Sequence, residues 1–242
     1  MNEGASDRNP GSTGYPHQVA REDPLALFPR LAGKLRTLWL AQTYPFALFG
    51  KGAWVHYSIH MERSTARYIS IGENVGLERD VRLDVSAAPG TDAPVLILEE
   101  GCAMQRRGVI SARNRIHVMR NAMFGHSVLV MDHGREVEAG TDRTGRRQET
   151  AGGTIRIEEG CWIGFGAVII CEQGELVIGR HSVVGANCVV TRSIPPYSVV
   201  AGDPARIVKQ YDPAKGKWVL GCIRPAAGAD QQDPEPAASA LS

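Results

Sequence analysis

The chain has 242 residues, of which 43% are hydrophobic and 22% are charged. This composition is ordinary for a soluble globular protein, and the length is sufficient for a substantial core. Lysine and arginine total 27 against 26 aspartate and glutamate residues, a formal net charge of +1. Such a balance gives no global field for nucleic acid, so we predict no nucleic-acid partner.

The first residues carry no secretory leader pattern, because no basic stretch there precedes an apolar core. We interpret residues 1–22, rich in Gly, Ser, Pro and charge, as a disordered arm, and residues 224–242 as a disordered tail. Five cysteines without a Cys-x-x-Cys pair favour a reducing compartment. We therefore expect a cytoplasmic protein.

Residues 23–54 are predicted to form a helical cap. Asp23 and Pro24 suit the start of a helix, and leucines with Phe28 then recur at spacings of three and four residues. We expect the helix to cover the open end of the following domain or to pack on a neighbouring subunit. The apolar residues 38–49 are too few to span a bilayer, so we predict no transmembrane segment, although their aromatic rings would allow peripheral membrane contact.

A repeat of six residues is the main structural signal of the chain, and we assign it to a domain at residues 55–194. It is most regular at residues 157–190, where an aliphatic residue opens each six. No helix or flat strand has this period, but a parallel β-helix does, with about eighteen residues in each triangular coil. We predict roughly five to six coils with the aliphatic residues stacked inside. An earlier series has the same spacing: Leu98, Met104, Ile110 and Ile116.

The repeat is interrupted at about residues 84–94 and again at residues 134–153, and we predict that both segments leave the coil as loops. Long loops within compact repeats are either functional or disordered. Charge on the longer insertion would suit an anionic acceptor or the phosphates of a cofactor, although a solvated loop explains it nearly as well. The insertion contains four arginines: Arg135, Arg143, Arg146 and Arg147.

After Val190 the repeat is predicted to end at Ile194, because the following Pro195 and Pro196 cannot donate to a strand ladder. We expect residues 195–223 to form an extended segment that wraps over the last coil.

The repeat, the looped insertion and the segment Gly202-Asp-Pro-Ala-Arg206 occur in that order, and together they resemble the hexapeptide-repeat acyltransferases. The resemblance covers about residues 55–212 and is greatest to the maltose and galactoside O-acetyltransferase branch, which includes polysaccharide-modifying members. It implies an all-β fold, a left-handed parallel β-helix, and a homotrimer with active sites between subunits. It also implies acetyl-CoA as the acyl donor, with no metal expected.

Seven histidines are candidates for the general base that acetyl transfer to a hydroxyl needs. The resemblance places the base after a coil and before a protruding loop, where His133 stands; a surface histidine in a loop is the alternative. Neighbours on a strand point in opposite directions, so Asp132 is not expected to contact the His133 ring. We expect Asp132, Glu136 and His126 to contact the acceptor. Glu136 is also a candidate to orient the ring, and solvated carboxylates are the alternative for both acids.

The resemblance further implies that CoA lies along the groove between two neighbouring β-helices. Glycines are needed in such turns regardless of ligand, and exposed charges on a tail are equally ordinary. Arginine nevertheless suits a phosphate through its bidentate fork. The positions that match the donor site are Gly164, Gly166, Gly185, Ala186, Thr191, Arg192, Arg206 and Lys209.

The resemblance implies an O-acetyltransferase that acts on a saccharide hydroxyl in bacterial polysaccharide or glycoconjugate biosynthesis. A saccharide or nucleotide sugar is the expected acceptor, and an amino sugar or serine is the alternative on the same scaffold. A metal hydratase of the γ-carbonic anhydrase type is less favoured, because His126 and His133 are more widely spaced than the matching ligands of that family. A scaffold without activity is disfavoured by the presence of both a base and a phosphate-binding tail.

Overall fold

The computed structural model describes residues 27–87, 90–136, 148–149, 152–212 and 215–220. The predicted disordered arm at 1–22 and the predicted tail at 224–242 lie outside the described residues.

Helix α1 (Leu27–Thr43) packs on the first coil of a β-helix. Leu40 is fully buried there, and the hydroxyl of Thr37 donates to the carbonyl of Val55 at 3.1 Å. The exposed leucines of α1 do not cover the coil, and the predicted contact of α1 with a neighbouring subunit stays a prediction. Among the described helices, none is long and apolar enough to cross a membrane. The exposed leucines are Leu31, Leu35 and Leu38, at 58%, 58% and 61% exposure.

Short parallel strands stack into three sheets, which are the faces of a triangular prism. The left-handed parallel β-helix that the repeat and the resemblance predicted is thereby confirmed. Sheet A contains β1 (Leu48–Phe49), β4 (Ile69–Ile71), β7 (Leu96–Leu98), β10 (Arg115–Val118), β15 (Thr154–Ile157) and β18 (Glu175–Ile178). Sheet B contains β2 (Trp54–Val55), β5 (Gly76–Leu77), β8 (Ala103–Met104), β11 (Met123–Phe124), β16 (Trp162–Ile163), β19 (Val183–Val184), β21 (Ser198–Ala201), β22 (Arg206–Asp212) and β23 (Lys217–Leu220). Sheet C contains β3 (His60–Met61), β6 (Arg82–Val85), β9 (Val109–Ala112), β12 (Leu129–Met131), β17 (Val168–Ile170) and β20 (Val189–Val190).

The turns between the sheets form the three edges of the prism, and each edge is a column of stacked turns. The A–B edge joins sheet A to sheet B, with turns at residues 50–53, 72–75, 99–102, 119–122, 158–161, 179–182 and 195–197. The B–C edge has turns at 56–59, 78–81, 105–108, 125–128, 164–167 and 185–188. The connections along the C–A edge are residues 62–68, 86–95, 113–114, 132–153, 171–174 and 191–193.

The prism interior is built from residues that are six apart in sequence. Ile157, Ile163 and Ile169 are each 0% exposed, as the spacing predicted. Burying an aliphatic side chain of this size contributes about 1.5–3 kcal/mol. Burial also raises the pKa of the thiols in the turns to about 11, so these cysteines pack as neutral small residues: Cys102, Cys161 and Cys188.

The β-helix begins earlier than residue 55. Phe49, Val55 and Met61 already open three consecutive sixes, and they pair in register with Ile71, Leu77 and Leu83 of the next coil. Val55 and Met61 fall within the predicted domain, so the prediction missed strand β1, because residues 23–54 were assigned to the helical cap.

The ladder also continues past the two prolines, so the prediction that they end it is wrong. Pro195 and Pro196 lie in a turn of the A–B edge, where no ladder hydrogen bond is needed. Ile194 bridges to Ile178, and β21 pairs with β19. The segment predicted to be extended then returns as the antiparallel strands β22 and β23.

Candidate active site

His133 lies on the C–A edge, where the chain leaves β12 and enters the insertion. The insertion starts with β13 (Arg135–Glu136) and returns through β14 (Gln148–Glu149), which pairs antiparallel with it. Its position thus matches the predicted loop. Residues 137–147 lie outside the described residues. They include three arginines whose predicted roles therefore stay predictions: Arg143, Arg146 and Arg147.

Asp132 contacts the His133 ring, so the expectation that the two side chains point apart is wrong. The Nδ1–H group of His133 donates to Asp132 Oδ1 at 3.1 Å. Strand alternation does not apply here, because β12 ends at Met131 and the chain bends at Asp132.

The Asp132 carboxylate is 0% exposed and is held by the backbone of the preceding coil. It accepts N–H groups of Arg113, Asn114 and Arg115 at 2.8, 2.9 and 2.8 Å. Hydrogen bonds of this kind to a charged acceptor are among the strong ones in proteins. A fully buried carboxylate cannot also face a sugar, so the predicted contact of Asp132 with an acceptor does not fit the structure.

The pair fixes the tautomer of the imidazole. A carboxylate only accepts hydrogen bonds, so Nδ1 carries the proton and Nε2 of the neutral ring keeps its lone pair. Ser111 Oγ lies 3.5 Å from Nε2, and the His133 side chain is 12% exposed. The arrangement therefore presents one basic nitrogen at a partly shielded position.

Ser111 was not found from the sequence. It lies on β9, where it pairs in register with Met131 of the next coil. The signal for it is the stacking of coils, which becomes visible once the register is known.

Both ends of the insertion are clamped beside this pair. The Gly153 N–H donates to the carbonyl of Asp132 at 2.8 Å, and the Asn114 amide donates to the carbonyl of Gly153 at 3.1 Å. Gly152 has φ +74°, and a Cβ there would lie 2.5 Å from the Asp132 carbonyl oxygen. The position where the insertion returns to the coil therefore needs glycine. The hydrogen bond from Gly153 there holds the backbone of Asp132 in place.

His126, another predicted acceptor residue, does not join His133 within one chain. His126 lies in a turn of the B–C edge, across sheet C from His133. The backbone of Glu136 is in β13, and its side chain lies outside the described structure. Its predicted roles stay predictions.

Most of the residues predicted for the donor share the B–C edge. Gly164 and Gly166 lie in one turn, and Gly185 and Ala186 in the next. Packing alone explains Gly164, because a Cβ there would lie 2.8 Å from the Ala186 nitrogen. The exposed Arg206 is at the same edge, opposite Ala201.

The remaining donor candidates lie elsewhere. Thr191 and Arg192 are exposed in the C–A edge turn, on the same edge as His133. Lys209 is exposed within β22, opposite Val199 of sheet B. A single chain therefore does not bring all of the predicted donor residues to one place.

The histidines considered for a metal are also separated. The His117 ring pairs with Glu99 at 2.7 Å on the outer face of sheet A, while His126 and His133 lie on two different edges. Within the part of the chain that the structure describes, no three His, Cys, Asp or Glu side chains are grouped to hold a metal ion.

Comparisons with known proteins point to acetyltransferases. Serine acetyltransferase from Haemophilus influenzae is 32% identical over 127 residues, 47% of this chain and 46% of that protein. Serine acetyltransferase from Escherichia coli K12 is 31% identical over 120 residues, 44% of this chain and 42% of that protein. The chain thus spans less than half the length of these curated relatives. No family model matches the chain.

A solved structure with a similar fold is that of a mutant of AntD, an N-acyltransferase from Bacillus cereus, in complex with dTDP-4-amino-4,6-dideoxyglucose and coenzyme A. The TM-score is 0.60 at 17% identity, over 72% of this chain and 88% of that one. The sequence and fold similarities together support a relation to the hexapeptide-repeat acetyltransferases, and they do not single out the maltose and galactoside branch.

We expect that replacing Asp132 by Ala lowers the free energy of unfolding by about 1–3 kcal/mol, the usual cost of leaving a buried donor without its acceptor. Three backbone N–H groups and the His133 ring would lose their acceptor. Asp84→Ala is the matched control, because Asp84 pairs with Arg82 at an exposed site, with side chains 43% and 60% exposed. Denaturant unfolding measures both changes. Equal losses for the two variants would contradict the structural role given to Asp132.

Proposed function

We propose that this chain is a hexapeptide-repeat O-acetyltransferase that moves an acetyl group from acetyl-CoA to a saccharide hydroxyl in bacterial polysaccharide or glycoconjugate biosynthesis. The observation that carries the proposal is the His133–Asp132 pair where the insertion begins, with the lone pair of Nε2, 3.5 Å from Ser111 Oγ, available to take a proton. The similarity to serine acetyltransferases and the fold likeness to an N-acyltransferase support transfer from a CoA thioester.

In the proposed reaction, His133 Nε2 takes the proton of the acceptor hydroxyl. The hydroxyl oxygen attacks the thioester carbonyl carbon, and the C–S bond breaks as the tetrahedral intermediate collapses. The imidazolium then returns its proton to the CoA thiolate. Asp132 holds the Nδ1–H throughout and stabilises the positive charge that the ring carries between the two transfers. A thioester is already activated, so this sequence needs no enzyme nucleophile.

The donor is proposed to lie along the B–C edge, against Gly164, Gly166, Gly185 and Ala186, with its phosphates near Arg206. Sheet C separates this edge from His133 in the same chain. The base of one copy and the donor groove of another must therefore meet for transfer to occur. We propose that further contacts to the donor come from three residues outside this edge: Thr191 and Arg192 on the C–A edge, and Lys209 on β22.

We propose a homotrimer, in which each copy brings its C–A edge to the B–C edge of the next. The outer face of sheet A carries ion pairs, such as Arg156 with Glu175 at 3.4 Å, and suits solvent. The outer face of sheet C connects the two edges and carries the Arg82–Asp84 ion pair on β6. From β9 to β20 this face is largely apolar and partly exposed, so this part can be buried between copies. Its outward residues include Val109, Leu129, Val168 and Val189.

The second candidate is transfer to an amino group, which the likeness to AntD favours, and serine is a third acceptor suggested by the curated relatives. The same base could serve each of these acceptors. Treatment of the product with hydroxylamine separates them, because an ester is cleaved and an amide is not. Screening saccharides, amino sugars and serine with acetyl-CoA, while following thiol release, identifies the acceptor.

We expect the protein in solution to have about three times the 26.2 kDa mass of one chain. The reason is that the proposed base and donor groove lie on different edges of one prism. Light scattering at assay concentration measures the mass. The mass of a single chain would contradict both the trimer and the shared site.

We expect His133→Ala to lower turnover by about a hundred- to ten-thousandfold, the usual contribution of positioned proton transfer. Acetyl-CoA binding should be nearly unchanged, because the ring acts on the acceptor. His117→Ala, which removes a ring paired with Glu99 on the outer face of sheet A, is the control and should keep its turnover. If His133→Ala stays active while His126→Ala does not, the base has been assigned to the wrong histidine.

We expect Arg206→Ala to weaken CoA binding by about 1.5–3 kcal/mol, the range for a hydrogen bond to a charged group. This corresponds to roughly ten- to a hundredfold in affinity. The loss should shrink with acetyl-pantetheine, which lacks the nucleotide phosphates. Arg120→Ala is the control, since Arg120 pairs with Glu159 at 3.4 Å on the A–B edge. Equal losses with both donors would mean that Arg206 shapes the tail and does not contact a phosphate.

A further inference from the structure

A basic cleft of about 320 Å³ opens on the B–C edge, and none of the roles assigned so far uses its arginines. Its walls come from four successive turns of that edge, on the side toward the N-terminal coils. The residues that matter for its chemistry are Arg79, Asp80, Arg106, Arg107, His126 and Phe165.

Backbone hydrogen bonds fix these turns directly above one another. The N–H of Arg107 donates to the carbonyl of Arg79 at 3.0 Å, and the N–H of Ser127 donates to that of Arg106 at 2.9 Å. Stacked coils repeat at about 4.8 Å, so the backbones of the three arginines lie on two adjacent levels of the edge. The three guanidinium groups line one cleft, where like charges repel one another and a bound anion would offset the repulsion.

The protein supplies little negative charge to offset this cluster. Arg106 reaches Glu78 at 3.8 Å, in a long pair whose side chains are 54% and 44% exposed. Among the described residues, Arg79 and Arg107 form no ion pair with a carboxylate, and Asp80 is the acidic residue that lines the cleft. The cleft therefore has an excess of hydrogen-bond donors and positive charge.

The other end of the cleft is aromatic. Phe165 is 54% exposed and lies in the turn between Gly164 and Gly166, next to the proposed donor groove. His126 lies between this ring and the arginines, and its carbonyl accepts the N–H of Gly166 at 2.9 Å. A ligand that extends along the edge would thus meet positive charge first and then a flat apolar surface.

We propose that this cleft binds the acceptor through a phosphate group, so that the acceptor is a phosphate-bearing saccharide. The proposal rests on the proposed function and names the substrate class of that site. A phosphate offers three oxygens and up to two negative charges to several guanidinium groups at once, whereas a carboxylate offers two oxygens and a single negative charge. Arg79, Arg106 and Arg107 hold the phosphate, and the sugar lies toward His126 and Phe165.

The cleft is distinct from the proposed site of the CoA phosphates. Arg206 lies at the opposite end of the same edge, opposite Ala201, beyond the turns at 164–167 and 185–188. Donor and acceptor would therefore lie end to end along one edge. Their reacting ends would meet near Phe165, where the His133 of a neighbouring copy would act.

Titration calorimetry of the full chain with inorganic pyrophosphate tests the cleft. Wild type should bind, and the double variant Arg106→Gln/Arg107→Gln should bind at least about tenfold more weakly, because hydrogen bonds to charged groups are lost. Arg120→Gln/Arg180→Gln is the matched control, since it removes the same charge from the A–B edge, and it should bind like wild type. Glucuronate, which has a carboxylate and no phosphate, should not displace pyrophosphate at equal concentration.

Equal pyrophosphate binding by wild type and the Arg106/Arg107 variant would overturn the proposal, as would displacement by glucuronate. Acetyl-CoA should bind the Arg106/Arg107 variant as it binds wild type, and a matching loss would assign the cleft to the donor instead. Binding of pyrophosphate in the cleft by a chain that never binds acetyl-CoA would support the anion site and overturn the proposed acetyl transfer.

Discussion

The parallel ladder between successive coils is the constraint on which the rest of this structure depends. Its strands are two to four residues long through β21, far too short to be stable alone. They are held because each inward residue stacks between its equivalents, as Ile157 does between Val118 and Ile178. Since the ladder fixes the register of each coil, every turn residue acquires a neighbour one level above and below. The three edges of the prism are therefore ordered columns of side chains.

The candidate catalytic residues lie at these edges because the backbone of the faces is used in strand pairing. Asp132 shows how closely the two demands are linked. Its carboxylate accepts the N–H groups of residues 113–115, at the turn of the preceding coil, and also accepts the Nδ1–H of His133. The hydrogen bonds that complete a buried turn thus also orient the candidate base. The insertion can vary in length beyond this point, because Gly152 and Gly153 return the chain to the same place.

The fold could be predicted from the sequence because the period of six is a local signal. It predicted the interior and the position of the insertion, and it missed strand β1, where the aromatic Phe49 opens the first six. The assignment of His133 as the base came from the family resemblance and stays a prediction. The side-chain partners were not predictable in this way. Ser111 and His133 are 22 residues apart, and coils of unequal length hide such pairs until the register is known. The orientation of Asp132 was predicted wrongly because the end of β12 lies one residue before it.

The separation of the two edges gives a physical reason for placing recognition and catalysis in different columns. The C–A edge holds a buried carboxylate whose removal would leave several N–H groups without an acceptor, so it tolerates little change. The B–C edge presents exposed turn residues such as Arg79, Arg106 and Arg107, whose side chains can be exchanged without disturbing a ladder. If the cleft binds the acceptor as proposed, substitutions there would alter which acceptor is held while leaving the His133–Asp132 pair intact. On this scaffold the specificity for the acceptor is therefore free to diverge faster than the proton transfer, provided that a second copy brings the two edges together.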